Sequence, residues 1–232
     1  MKKIAVIDCR AADETVYALE NLGIKVIPTI KLGCLYDAVA SHADIQIHYL
    51  GNNKFVCAPQ TFEHYKKHLP EEFTLIKGEK PLGYEYPLDI CYNTASFGDF
   101  VICKAACTAR EILSEYKSRT IINVNQGYSK CNICPVTGNS IITSDNGIAK
   151  AAAERGIEVL KISAGNIKLR GLDYGFIGGA SGLISDGTLA VNGDIYSHPD
   201  GEEIKSFCES RGVKIYPLKR EILEDIGSVI TN

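Results

Sequence analysis

The chain has 232 residues, 45% of them hydrophobic, with a formal net charge of −3 and a pI near 6.0. That length supports a full core, while the mild acidity excludes the basic footprint of a nucleic-acid binder or of a protein drawn to an anionic membrane surface. No stretch offers the ~20 apolar residues of a spanning helix, the opening MKKIAVIDCR is too brief for a signal peptide, and nine cysteines in apolar contexts point to reduced thiols in a cytoplasm.

Ile4 to Asp8 reads as a buried strand, followed by a helix with Asp13 at its N-cap and Gly23 at its end, then a strand at IKVIPT. The segment lacks G-x-G-x-x-G, so no dinucleotide site is expected. Next comes a strand at Ala43 to Leu50, a turn at Gly51-Asn52-Asn53, a strand at KFVCAP, a helix capped by Thr61, and a strand at FTLIKG. The order strand, turn, strand, helix, strand returns from Leu88, with a turn at Phe97-Gly98-Asp99 and a helix capped by Thr108. It returns again from Ser129, with a turn at Thr137-Gly138-Asn139, a helix capped by Asp145 or Asn146 and Gly156 at its end. A fourth copy starts at Tyr174, turns at Asp186-Gly187, and carries a helix opening at Asp200 and ending at Gly212.

LEDIGSVITN, at the C-terminus, has the form of an opening strand whose remaining elements stand at the N-terminus. The post-helix strands begin at Ile24, Phe73, Thr120, Ile157 and Val213, at intervals of roughly 37 to 56 residues, the range of repeat architectures. The expectation is a single α/β domain over residues 1–232: a closed five-bladed propeller of strand-strand-helix-strand units, its fifth unit shared by the two termini.

This architecture resembles the pentein fold of the guanidino-group modifying enzymes (deiminases, dimethylarginine hydrolase, amidinotransferases) and of a non-catalytic ribosome anti-association factor. Ser163-Ala164-Gly165-Asn166-Ile167 is similar to the Gly-Gly-Asp or Gly-Gly-Gly-Asn stretches those enzymes carry near substrate, and Gly178 to Gly182 (GGASG) is a comparable glycine-rich strand. The resemblance implies a cysteine that attacks a guanidinium carbon, a histidine that moves protons, and acidic residues that hold the cation. The family's cysteine lies in the last opening strand, which here reads Asp225-Ile226-Gly227-Ser228-Val229 and offers only Ser228. The acidic position of the glycine motif falls on Asn166.

Aligning the opening strands on their isoleucine gives Asp44-Ile45-Gln46, Asp89-Ile90-Cys91, Asn132-Ile133-Cys134, Phe176-Ile177-Gly178 and Asp225-Ile226-Gly227. Strand alternation would place Asp44, Gln46, Asp89, Cys91, Asn132, Cys134 and Asp225 on one face, with His48 and Asn93 one pleat further on. The catalytic candidates are therefore Cys91 or Cys134 as nucleophile with His48 as base. The ligand-binding candidates are Asp44, Asp89, Asn93, Asn132, Asn166, Asp225 and Ser228. The competing expectation is that these aspartates cap backbone amides at repeat corners.

Cys131-x-x-Cys134 lacks the second pair of a zinc site and the helix of a redox motif, so no metal is expected there. His42 stands where it can reach the mouth of the axis, His64 and His68 are a solvated pair, and His198 serves its loop. GGASG leads into a hairpin and not a helix, which points to close backbone packing or an open ligand pocket. The expected activity is hydrolysis or transfer at a guanidine, amidine or other C–N bond, without a cofactor, on a small cationic or amide-bearing ligand. No nucleic-acid or membrane partner is expected, and a homodimer is the possible assembly. The alternative is a non-catalytic scaffold acting through protein partners.

Overall fold

The computed structural model describes residues 2–232. β1 (Ile4–Ile7), α1 (Asp13–Asn21) and β2 (Lys25–Pro28) open the chain. There follow α2 (Ala43–Gln46), β3 (Ile47–Gly51), β4 (Lys54–Cys57), α3 (Phe62–His68) and β5 (Thr74–Lys77). The next group is β6 (Ala95–Phe97), β7 (Phe100–Cys103), α4 (Arg110–Glu115) and β8 (Thr120–Asn123). After it come α5 (Ser129–Asn132), β9 (Cys134–Thr137), β10 (Ser140–Thr143), α6 (Asn146–Ala153) and β11 (Glu158–Lys161). The chain finishes with β12 (Ser181–Ser185), β13 (Thr188–Val191), α7 (Gly201–Glu209), β14 (Lys214–Pro217) and β15 (Ile230–Thr231).

These strands form five three-stranded sheets: β15-β1-β2, β3-β4-β5, β6-β7-β8, β9-β10-β11 and β12-β13-β14. In each, the middle strand pairs antiparallel with the first and parallel with the last, as at Val6↔Ile230 and Val6↔Ile27. A parallel pair needs a crossover, and a helix between the middle and last strands supplies it every time. The middle strands read IAVI, KFVC, FVIC, SIIT and TLAV and are buried along nearly their whole length, while the last strands are half exposed. A run buried on both faces has no reason to alternate, which is why these read as continuous apolar stretches. The first strands touch one another in the sequence β3, β15, β12, β9, β6, so the sheets converge on a common centre. The terminal sheet joins both ends of the chain, with Asn232 Oδ1 accepting from the Ile4 amide at 2.8 Å.

Two local expectations need correction. Of the four helix caps expected, at Asp13, Thr61, Thr108 and Asp145 or Asn146, only Asp145 acts as one, accepting from the Ile148 amide at 2.8 Å. Asp13 lies inside its helix, and Thr61 and Thr108 turn their hydroxyls to backbone carbonyls. The helix expected to open at Asp200 begins at the next residue, and the Asp200 carboxylate accepts from the Ser163 amide. The opening strands are also shorter than their apolar character implies, because each is preceded by a tight turn. Ala43–Gln46 and Ser129–Asn132 are single helical turns; Asp89 to Asn93 is turned by the Asn93 amide bonding to Ile90 O. Before β15 the chain reverses at Gly227 and Ser228, with φ of 68° and 71°. The two-residue alternation therefore does not apply to the aligned triplets. Gln46, for example, points away from Asp44 to donate to the carbonyls of Ile30 and Ala40.

Candidate functional site

The turns deliver their side chains to the centre from different sheets. Asn93, ahead of β6, accepts from the Lys130 amide at 2.7 Å and the Cys131 amide at 3.3 Å. A one-turn helix cannot satisfy its own first amides, so an amide side chain from the neighbouring unit does so. The Asn93 Nδ2 donates to Cys131 Sγ at 3.1 Å and to Asp44 O at 3.3 Å. The Cys131 thiol in turn donates to Asp44 Oδ2 at 3.0 Å, and that same oxygen accepts from Ser228 Oγ at 2.7 Å. Lys130 Nζ donates to Ser228 Oγ at 3.1 Å.

His42, the residue just before α2, lies against this group. Its Nε2 is 4.0 Å from Asp8 Oδ2 and its Nδ1 is 3.9 Å from Asp225 Oδ1. Asp8 is itself gripped by Arg10, which also donates to the carbonyls of Asp37 and Ala38 and so ties down the preceding loop. Asp225 accepts from the Phe176 and Gly227 amides, both at 2.9 Å, so the amide-capping expectation describes its bonding. His42, Asp44, Asn93, Cys131, Asp225 and Ser228 are all buried, none more than 4% exposed. Burial and then the neighbouring Asp44 hold the Cys131 thiol well above its ordinary range; burial first, and Asp44 among the lesser causes, raises Asp225.

Glycine makes this packing possible. A Cβ on Gly178 would lie 2.2 Å from Lys130 O and 2.3 Å from Ile133 O, so the glycine-rich stretch serves close backbone contact with α5.

On the hairpin side of this cluster the first strands of all five sheets line a cavity of about 470 Å³. Lys130 reaches it from the cluster side, and His48 and Ser96 lie on its wall. His48 bonds through Nε2 to Tyr116 Oη at 2.9 Å, and Tyr116 also bonds to Tyr49 O and Ser96 Oγ. Burial, then the positive charges of Lys130 and Arg119, lowers His48 to about 3, so the ring is neutral at pH 7.

The catalytic trio expected from the sequence is not joined in space. The Cys91 thiol donates to the carbonyls of Pro87 and Leu88, Cys134 sits in an apolar cluster with Ile142 and Ile177, and neither bonds to His48. Burial raises both thiols. The turns preceding the strands redirect these cysteines away from the centre. Of the expected ligand-binding residues, Asp44, Asn93, Asp225 and Ser228 meet in the cluster. Asp89 instead accepts a short hydrogen bond from Tyr128, whose hydroxyl pairs with that of Tyr36 at 2.9 Å. Asn132 donates to Tyr128 O, and Asn166 is exposed and bonds only to Ala164 O. His64 and His68 spend ring nitrogens on the carbonyls of Pro28 and His64.

Cys131 and Lys130 are the central residues the alignment passes over. The signal was present in the polar run Ser129-Lys130-Cys131-Asn132, which suits a turn better than a strand.

Among solved structures, the chain is similar to DDAH from Pseudomonas aeruginosa complexed with citrulline, at 9% identity and a TM-score of 0.62 over 98% of this chain and 95% of that one. It is similar to SxtG, an amidinotransferase from Microseira wollei, at 12% identity and a TM-score of 0.56 over 88% and 73%. It also resembles the agmatine deiminase of C. jejuni, at 9% identity and a TM-score of 0.56 over 94% and 86%. At such identities the likeness shows the fold, which is that of the pentein enzymes. No helix among the described residues is long and apolar enough to cross a membrane. A sequence comparison with curated proteins finds no match. A family model does match, over residues 6–230, and by that match the chain belongs to the family of unknown function DUF6873.

Proposed function

We propose that the five sheets form one closed five-bladed pentein ring and that the chain acts on a C–N bond of a small cationic or amide-bearing molecule at its centre, with Cys131 as nucleophile. The observation that carries this reading is the contact of the Cys131 thiol with Asp44 Oδ2 at 3.0 Å, with Asn93 donating to the sulfur. The structural neighbours named for amidine transfer and deimination support the chemistry. A cation entering beside Asp44 and Asp225 offsets the charge that now holds the thiol protonated, which favours the thiolate. The thiolate then attacks the central carbon, the C–N bond breaks, and the departing nitrogen takes up the thiol proton held by Asp44. Water or an amine releases the product from the sulfur, so the thiol is regenerated.

The complete burial of the cluster favours a second reading, a non-catalytic scaffold acting through protein partners. One experiment separates the two: treat the protein with 2-chloroacetamidine and locate the adduct by mass spectrometry. Selective modification of Cys131, ahead of the exposed Cys9, is the expected result, and labelling that follows exposure alone defeats the catalytic reading.

A further inference from the structure

We propose that His42, Asp44 and Cys131 form a binding site for a thiophilic divalent cation of the zinc class. A donor atom from each lies within 4.8 Å of the other two, and all three residues are buried. Around a tetrahedral zinc ion, S, N and O ligands stand about 3.3–3.5 Å apart, so the group reaches that geometry by side-chain adjustment, without refolding the backbone.

Two independent features point to a ligand. Asp44 Oδ1 and His42 Nδ1 are buried and have no hydrogen-bond partner. Orphan polar atoms at such depth carry a desolvation cost that a bound cation removes for Asp44, and for His42 if that nitrogen coordinates. The surroundings also have the form of an outer coordination shell. Whichever imidazole nitrogen binds the metal, the other faces a carboxylate: Asp8 lies 4.0 Å from Nε2 and Asp225 3.9 Å from Nδ1. Neither contact is a hydrogen bond as it stands; a shift of a few tenths of an ångström on binding would make one, and a carboxylate so bonded to a ligating imidazole fixes the ring and raises its basicity. Asn93 Nδ2 is placed to donate to the sulfur after it loses its proton, as it already does at 3.1 Å.

The donor set of one thiolate, one imidazole and one carboxylate selects zinc, cobalt or a similar ion over magnesium or calcium, which take oxygen ligands. Three protein ligands leave a fourth position for water or a small molecule. Coordination exchanges the thiol proton for the metal, forming the S–metal bond and releasing one proton to solvent. Cys134 has no part in this site, because it faces the apolar cluster behind β9.

The site requires no reaction at Cys131 and stands apart from the catalytic reading. The test begins with chelator-treated protein, titrated with cobalt(II) and followed through the near-ultraviolet thiolate-to-cobalt charge-transfer band. One equivalent is expected to saturate the band, with Cys134→Ser titrating like the parent. Cys131→Ser abolishes it, and His42→Gln weakens cobalt binding at least tenfold. An absent band in the folded parent protein, or a band that survives Cys131→Ser, overturns the proposal. Should either variant misfold, X-ray absorption at the zinc edge of the unsubstituted protein gives the same answer: one sulfur scatterer among nitrogen and oxygen supports the site, and nitrogen and oxygen alone sink it. A missing band alongside selective alkylation of Cys131 removes the metal and leaves the reaction standing, whereas a band without alkylation does the reverse.

Discussion

At the loop end of the centre, Asn93, Asp44 and Ser228 bond to backbone or side chains of facing sheets, whereas at the hairpin end His48 and Ser96 share a single phenol, that of Tyr116. The first group fastens separate sheets to one another where no strand pairing can, since the first strands begin only after their turns. The second group lines a cavity and depends on one imidazole remaining uncharged. Polar residues near the centre are thus used as joints in one place and as wall in the other.

The largest expected test of this contrast is acidification. Unfolded His48 titrates near 6.5 and the folded residue near 3, so between those values the unfolded chain holds the extra proton. Its contribution is complete above pH 6.5 and is lost as pH falls, by about 4 kcal/mol near pH 3. Urea midpoints measured from pH 7 to pH 4 are expected to decline, and less so in His48→Gln. An unchanged slope in the variant removes His48 as the cause.

Next in size is Asn93→Ala, which strips the acceptor from the buried Cys131 amide and the part-buried Lys130 amide, at about 1–3 kcal/mol for a fully buried unsatisfied group and less for the other. Ser96→Ala, at the hairpin end, is expected to cost about 1 kcal/mol or less, because Tyr116 Oη retains Tyr49 O. Comparing the two by urea denaturation sharpens the distinction between joint and wall, and equal losses erase it. The smallest effect belongs to Asn166→Ala, within about 0.5 kcal/mol, since the residue is exposed and bonds only to Ala164 O. A larger loss of stability would give Asn166 a role that its position does not.

The repeat was legible because it rests on patterns that survive in one dimension: continuous apolar middle strands, hairpin turns such as Gly51-Asn52-Asn53, and helix ends at Gly23, Gly156 and Gly212 with φ of 72° to 75°. Three of the cluster's residues, Asp44, Asn93 and Asp225, came from aligning the opening strands, and Ser228 from the likeness of the last opening strand to that of the pentein enzymes. The thiol did not. Cys131 and Cys134 stand three apart, and a strand reading favours the one that follows the aligned isoleucine. A single helical turn at Ser129–Asn132 reverses that preference, and what stabilises the turn is Asn93, 37 residues from Lys130. No local pattern encodes a cap supplied from another sheet. His48 lies on the cavity wall, and its partner there is Tyr116, a residue on the end of a helix whose approach depends on tertiary packing.

The half-exposed last strands also set how the protein behaves at high concentration. An unpaired strand edge is a template for another chain, and lysine or proline on it discourages pairing. β2, β5, β11 and β14 each carry a lysine, but β8 reads Thr-Ile-Ile-Asn with no charge, and its Ile121 is exposed. Association at high concentration is therefore expected to begin at that edge, and Ile121→Lys to delay it as followed by light scattering, without touching the centre.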